Sequence, residues 1–196
     1  MNHRLHLKFE QLELATQRLL AAVDALGPDA TRAPGPGQWA ATQVVHHLLL
    51  IENNITGYVQ KKLLATGQLP KTGLFTRARA LLVRLLLRLP GVRFRAPRGL
   101  AELTSGAPVP ALSDLKTEWA ATRRRIEQVL NEYPGRLLDR AIYPHPRSGR
   151  ITIYQVLEFL LDHLLHHQQQ VNRITKVLAA GDTHGGPGLA QRGPAS

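Results

Sequence analysis

Two histidines near the end of the chain, His163 and His167, have the spacing of residues that bind one metal ion. Residues four apart on an α-helix are neighbours, so both imidazoles can reach the same ion. Apolar residues recur at intervals of four and three from Ile153 to Leu178, which predicts a long amphipathic helix. His167 falls in this apolar seam, His163 falls on its flank, and His166 is expected to face outwards. The pair by itself leaves a metal ligand and a hydrogen-bonded core histidine equally open.

A third histidine could come from an earlier helix, predicted from about Ala41 to Leu64. His46 and His47 are adjacent there, so at most one can face the core. A rotation of about 100° per residue places His47 near the apolar stripe and His46 almost opposite it. Three neutral imidazoles leave a fourth position open, as in catalytic rather than structural sites for divalent metals. A metal there would acidify bound water or a substrate thiol and polarise an electrophile.

These helices belong to a set of four long ones. The first is predicted from about Leu5 to Leu26, and the third from about Ser113 to Glu132 with Ser113 as its N-cap. A capping box, Thr152 with Gln155, starts the last helix, which Gly181 ends. The three arginines at 123–125 are expected to be solvated.

The segment between the third and last helices contains His145 between two prolines. Pro144 and Pro146 forbid a helix, so the segment is predicted to be extended or a tight hairpin. His145 either belongs to the turn, which is the favoured interpretation, or reaches the open end of the bundle. Residues 181–196 are predicted to be a flexible tail after a domain that spans 1–180.

A long crossover, residues 65–112, separates the second and third helices. Its central stretch, Phe75–Leu89, is predicted to be a short basic amphipathic helix, with Arg77, Arg84 and Arg88 on one face. The apolar face consists of Ala78, Leu81, Leu82, Leu85 and Leu89. The favoured interpretation is that this apolar face covers the bundle while the arginines are solvated. A contact with a membrane surface or a second copy is the alternative, and nucleic acid is least favoured because stacking aromatics are nearly absent.

Composition restricts the possible classes of protein. The 196 residues suit one domain, and the 43% apolar content supports a sizeable core. The chain has no cysteine, so disulfides and thiolate metal sites are excluded. The net charge of +11 is concentrated in residues 71–98, which hold eight basic and no acidic residues. The start lacks an apolar signal core and no apolar run is long enough for a membrane span, so a soluble cytoplasmic protein is expected.

The motifs together resemble the DinB/YfiT-like superfamily. The resemblance extends over roughly Leu5 to Leu178 and rests on Trp39-x7-His47, Glu52, the stretch His145-Pro146-Arg147-Ser148-Gly149-Arg150-Ile151-Thr152 and His163-x3-His167. It implies an all-α four-helix bundle in up-down-down-up order with a long crossover after the second helix. It also implies one divalent metal ion, zinc or nickel, bound by His47, His163 and His167. The chain departs from the family at Ala40, where Ser or Thr often caps the second helix, although Gln43 is present.

The resemblance also implies a function. Some relatives transfer low-molecular-weight thiols such as bacillithiol, mycothiol or glutathione, others isomerise thiol adducts, and many have no assigned activity. Dimers are common among them. The first hypothesis is therefore a metal-dependent enzyme that transfers such a thiol to an electrophilic small molecule, or a related hydrolase, and forms a homodimer. Glu52, His145 and Tyr58 are candidates for orienting a ligand or binding substrate, and no residue is identified as the catalytic base. The alternative is a non-catalytic bundle that binds a partner protein or membrane surface through the basic crossover helix.

Overall fold

The computed structural model describes residues 1–65, 68–88 and 108–182, and these are mainly helical. The helices are α1 (His3–Asp24), α2 (Ala41–Leu64), α3 (Leu74–Arg88), α4 (Leu112–Asn131) and α5 (Ile153–Asp182). Two short strands, β1 (Tyr143–His145) and β2 (Gly149–Ile151), precede α5. The predicted tail beyond Asp182 and most of the predicted link between α3 and α4 lie outside the described residues. No helix in the described ranges is both long and apolar enough to cross a membrane.

The first helix runs parallel to the last and antiparallel to α4. Lys8, near the start of α1, forms an ion pair with Glu158 near the start of α5. Asp24, at the end of α1, pairs instead with Lys116 in the first turns of α4. These two contacts set the relative directions of three of the four long helices.

The second helix has the same direction as α4 and the opposite direction to α5. A small apolar cavity is lined by Ile55 and Val59 of α2, by Ile126 to Leu130 of α4, and by Ile153 to Leu160 of α5. Asn53, earlier in α2, accepts a hydrogen bond from Thr122, earlier in α4. His47, earlier still in α2, lies instead beside residues later in α5. The bundle is therefore up-down-down-up, in the order that the family resemblance implies, and the fold class is confirmed.

Aliphatic side chains from all four long helices form the core. Fully buried members include Leu5, Leu12 and Leu19 of α1, Leu49 of α2, Leu115 and Trp119 of α4, and Leu157 and Leu164 of α5. Leu5, Leu12 and Leu19 lie seven residues apart, which places them on one face of α1. The seam that the sequence identifies in α5 is buried throughout, from Ile153 to Leu178.

Two glutamines define the starts of the helices that carry the metal-site candidates. The Thr152 N–H donates to Gln155 Oε1 at 3.0 Å, and the Gln155 N–H donates to Thr152 Oγ1 at 3.3 Å, so the predicted capping box is present. At α2, the Ala40 N–H donates to Gln43 Oε1 at 2.8 Å. That helix keeps half of a capping box, because alanine has no side-chain acceptor for the reciprocal bond. The prediction that Ser113 is the N-cap was wrong, because α4 begins at Leu112 with Ala111 at the cap position.

The segment with the two prolines forms the predicted hairpin. Tyr143 pairs with Ile151 and His145 pairs with Gly149 in an antiparallel register. Gly149 has a φ of +80°, a conformation that residues with a side chain rarely adopt. The tight turn therefore places His145 opposite Gly149, at the end of the hairpin whose second strand leads into α5.

The crossover helix α3 packs against α5 and β2, but with a face different from the predicted one. Ala80 is buried and Val83 and Leu86 are half-buried, whereas Leu81, Leu82 and Leu85 are 55%, 56% and 54% exposed. The expectation that the leucine face covers the bundle was wrong. Small side chains allow close packing on this side, where Thr76 also approaches Gly149. The side chains of Arg77, Arg84 and Arg88 lie outside the described part of the structure.

Candidate metal centre

Three histidines from two helices converge inside the bundle. His47 of α2 and His163 and His167 of α5 each offer a ring nitrogen, and these three atoms lie within 4.8 Å of one another. The Nε2 atoms of His163 and His167 are 3.2 Å apart. Two nitrogens bound tetrahedrally to one zinc ion at ~2.0–2.1 Å would be about 3.3 Å apart. The spacing within α5 already matches a shared ion, and His47 lies close enough to complete the set.

Burial keeps these imidazoles neutral, which is the form that binds metal. Burial, together with the charge of neighbouring histidines, lowers the pKa of His47 to about 4 and that of His167 to about 3. The pKa of His163 is well below its ordinary value for the same reasons. Nδ1 of His47 is also buried without a hydrogen-bond partner among the described residues. Such an unpartnered buried nitrogen is costly alone, and an ion or a water at the site would satisfy it. The donor set therefore fits a divalent metal.

Gln170 orients one of the rings. His167 Nδ1 lies 2.8 Å from Gln170 Oε1, and an amide oxygen can only accept, so the proton of the neutral ring is on Nδ1. The lone pair is then on Nε2, the atom that faces His163. The sequence analysis missed Gln170, although its position three residues after His167 places it on the same side of α5.

Two aromatic rings flank the three histidines. Trp39 lies just before α2, with its ring 5.1 Å from that of His47 and nearly parallel to that of His167 at 6.5 Å. Phe159, one turn before His163 on α5, stacks on His163 at 5.4 Å. Trp39 was part of the predicted motif, whereas Phe159 was missed as one apolar residue among many. These rings restrict the space around the imidazoles and lower the local polarity.

His145 belongs both to the hairpin turn and to the surroundings of the site. Its Nδ1 accepts hydrogen bonds from the N–H groups of Ser148 at 3.0 Å and Arg147 at 3.2 Å. Its ring is buried and lies 4.4 Å from the ring of Phe159, which in turn stacks on His163. Because Nδ1 is an acceptor, the proton of the neutral ring is on Nε2. His145 thus offers one N–H donor, and burial lowers its pKa to about 4.

The sequence profile of the DinB superfamily matches residues 11–171, most of the chain. The chain belongs to the DinB superfamily. No curated protein matches this DinB sequence. A solved structure is similar: YfiT from Bacillus subtilis, described as a probable metal-dependent hydrolase with an unusual four-helix bundle topology. The two are 19% identical, with a TM-score of 0.59 over 91% of this chain and 90% of YfiT, a likeness that establishes the fold.

Glu52 and Tyr58, two other candidates in this member of the DinB superfamily, have partners other than the three imidazoles. Glu52 is 3% exposed and forms an ion pair with the buried Arg123, whose Nη2 donates to Glu52 Oε2 at 2.8 Å. The structure therefore gives this carboxylate a guanidinium partner instead of an imidazole. The prediction that Arg123 is solvated was wrong, because its Nη2 also donates to Thr16 of α1 at 2.7 Å. The pair joins α1, α2 and α4.

Two further residues of these helices are placed as follows. Tyr58, the remaining candidate for binding substrate, is 38% exposed and packs edge-to-face on Tyr143 of the hairpin. Asp162, directly before His163 on α5, is fully buried. The helix α5 contacts α1, α2 and α3, so more of its circumference is covered than a single seam predicts. Within the described ranges, His47, His163 and His167 are the group of histidines and carboxylates close enough to share an ion.

Proposed function

We propose that this protein is a metal-dependent enzyme that acts on an electrophilic small molecule. One divalent ion, zinc or nickel, is bound by His47, His163 and His167. The observation that carries the proposal is that ring nitrogens of three neutral imidazoles lie within 4.8 Å of one another, with no fourth histidine or carboxylate in that group among the described residues. Three protein ligands leave a coordination position for a reactant, which distinguishes catalytic from structural zinc sites.

The ion supplies electrophilic chemistry: it lowers the pKa of a bound water or thiol and polarises a carbonyl or related group. The chain supplies the geometry. Gln170 holds the His167 ring so that its Nε2 lone pair points into the site. His145 offers an N–H donor, beside Phe159, that suits an oxygen on which negative charge develops. Trp39 and Phe159 restrict the entry of water and favour a substrate with an apolar or aromatic part.

We propose two nucleophiles for this site. Transfer of a low-molecular-weight thiol, such as bacillithiol, mycothiol or glutathione, is the reaction implied by the family resemblance. Hydrolysis uses water at the same position, and the description of YfiT supports it. The protein is expected to be a cytoplasmic homodimer, which light scattering and cell fractionation would test.

Metal content tests the site directly. The protein is purified without a histidine tag, loaded with zinc or nickel, dialysed and analysed for bound metal. We expect one ion per chain in the wild type and in His46→Ala, and none in His47→Ala or His163→Ala. His46 is a matched control because it is the adjacent histidine on α2 and lies outside the triad. Equal metal content in His46→Ala and His47→Ala would overturn the proposal.

Product mass identifies the nucleophile. The metal-loaded protein is incubated with a panel of activated esters, epoxides and maleyl compounds, with and without each thiol. A product that carries the thiol, formed by wild type and not by His163→Ala, supports transfer. A product of water addition that forms equally with and without thiol supports hydrolysis and excludes thiol transfer. Failure of all substrates with a fully loaded protein would contradict the enzymatic function while leaving the metal site intact.

A further inference from the structure

The outward face of α3 exposes a run of large apolar side chains. Phe75 is 75% exposed, and Leu81, Leu82 and Leu85 are each more than half exposed. Residues 75, 78, 82 and 85 recur at intervals of three and four, so they share one side of the helix with residue 81 beside them. Single exposed leucines are ordinary, but a contiguous apolar face on a helix is typical of a surface that binds a partner.

Exposed basic residues lie close to this face. Lys71 and Arg79 are exposed, and the strand β2, which packs against α3, presents the exposed Arg150. By sequence, residues 71–98 contain eight basic residues and no acidic one. The guanidinium carbon of Arg79 lies over the Phe75 ring, 5.8 Å from its centre. The apolar face therefore has a cation in direct contact with one of its members and other exposed cations nearby.

A membrane surface that contains anionic lipids complements both features. Apolar side chains insert at the boundary of headgroups and acyl chains, while basic residues at the border contact lipid phosphates and keep their aliphatic parts in the apolar layer. A second copy docked symmetrically through the same face would bring two sets of basic residues together without compensating acids. Nucleic acid would match the charge but would leave the leucines uncovered.

We propose that α3 is a membrane-contacting element whose exposed face, formed by Phe75, Leu81, Leu82 and Leu85, binds anionic bilayer surfaces. The helix has 15 residues and lies on the surface without crossing it. Ala80 faces the bundle, so α3 stays packed on α5 while its leucine face contacts lipid. This contact would bring an enzyme for electrophilic small molecules to the bilayer, where apolar electrophiles accumulate. It does not depend on the metal site.

Vesicle co-sedimentation of the full-length protein tests the proposal. The probes are vesicles of phosphatidylcholine alone and of phosphatidylcholine with an equal amount of phosphatidylglycerol. We expect binding to the anionic vesicles, weaker binding as salt increases, and little binding to the neutral ones. In Leu82→Ser with Leu85→Ser, the partition coefficient should fall about tenfold or more. Leu7→Ser with Leu14→Ser, which changes two comparably exposed leucines on α1, should bind as wild type does.

A charge variant provides a second test that leaves the leucines unchanged. Lys71→Glu with Arg79→Glu should reduce binding to anionic vesicles about 25-fold or more, because each of the two basic residues near the surface contributes about a fivefold factor. Arg18→Glu with Arg124→Glu, an equal charge change at exposed positions of α1 and α4, should have a much smaller effect. Circular dichroism and metal content of every variant report whether the bundle is folded.

Three results would overturn the proposal. The first is no binding of wild type to anionic vesicles at low salt. The second is equal binding by the wild type and the folded Leu82→Ser, Leu85→Ser variant, which would assign adhesion to charge elsewhere. The third is that the wild type sediments as a dimer and does not bind vesicles, whereas the Leu82→Ser, Leu85→Ser variant sediments as a monomer. That result would assign the face to a second copy.

Discussion

Gln170 orients the imidazole of His167, although Gln170 is not part of the apolar pattern of α5. The His167 Nδ1–H donates to Gln170 Oε1 at 2.8 Å, which selects the tautomer that leaves Nε2 available. Residues that orient a metal-bound imidazole in this way are an integral part of many metal sites. The pair His163 and His167 follows from histidine spacing, and helical periodicity with the family resemblance adds His47. Gln170 is identified as an orienting residue only from the position of its oxygen.

Replacement of Gln170 should therefore weaken metal binding without removing a ligand. Gln170→Leu is expected to reduce zinc affinity about tenfold to a hundredfold, because His167 loses the acceptor that fixes its tautomer. Gln170→Glu keeps an acceptor and should bind nearly as the wild type does. Gln169→Leu is the matched control one residue earlier. Competition with a chromogenic chelator measures each affinity, and equal affinities for Gln170→Leu and Gln169→Leu would contradict the assignment.

The contribution of His145 to the stability of the hairpin turn should depend on pH. Its Nδ1 accepts two backbone N–H groups, and burial lowers its pKa to about 4 from the ordinary value of 6.5. Between these pH values the unfolded chain binds more protons at this residue than the folded chain does. The contribution of His145 to stability is therefore complete above about pH 6.5 and declines as the pH falls towards 4.

His145→Asn tests this coupling, since an asparagine oxygen can accept the same N–H groups but does not titrate. In metal-free protein, the wild type should lose stability between pH 6.5 and 4, and the variant should lose less, by about 1 kcal/mol per pH unit. Urea unfolding at a series of pH values measures the two slopes. Parallel slopes would show that the turn does not depend on the protonation of His145.

At the scale of helices, a buried ion pair fastens α4 to its neighbours. Arg123 contacts Glu52 of α2 and Thr16 of α1, and its Nε lies 3.3 Å from Glu13. Burial raises the pKa of Glu52 to about 7, and the positive charge of Arg123 opposes that rise. Loss of the arginine would leave Glu52 buried without its cation.

Arg123→Met should consequently destabilise the fold by about 3–5 kcal/mol, whereas Arg124→Met at the exposed neighbouring position should cost less than about 0.5 kcal/mol. The deficit should grow with increasing pH, because a carboxyl with a raised folded pKa loses stability as it ionises. Replacing both partners, as in Glu52→Leu with Arg123→Met, should recover most of the loss. Denaturant unfolding gives the free energies, and a single variant as stable as the double one would show that the pair is unimportant.

Periodicity predicts the existence and approximate bounds of these helices because burial repeats along each of them. It identifies His47 over His46 for the interior, and the structure confirms that choice. Apolar periodicity does not show which residues of other helices a side chain contacts. Arg123 is the first of three consecutive arginines, a pattern that predicts a solvated face, and its burial depends on Glu52, 71 residues away. Amphipathicity likewise shows that α3 has an apolar face but does not show which face meets the bundle.

At the scale of the whole molecule, chain order determines how the site is assembled. The parallel pairs, α1 with α5 and α2 with α4, leave α2 antiparallel to α5, so His47 near the start of α2 meets the middle of α5. The expectation of this order came from the family resemblance and not from apolar spacing. The three proposed ligands therefore come from helices that are distant in sequence, and a bound ion would connect the second helix to the last.

Metal should accordingly stabilise the entire bundle. A ligand that binds the folded chain alone, at about a thousand times its dissociation constant, contributes about 4 kcal/mol. For a chain of this size, each kcal/mol raises the melting temperature by roughly 2–4 °C, so zinc should raise it by about 8–16 °C. Differential scanning calorimetry of metal-free and zinc-loaded protein measures the shift. His46→Ala should retain the full shift and His47→Ala should lose it, because His47 is the ligand through which the ion holds α2 against α5. If His47→Ala were stabilised by zinc as much as the wild type, the ion would bind outside the triad and would not connect these two helices.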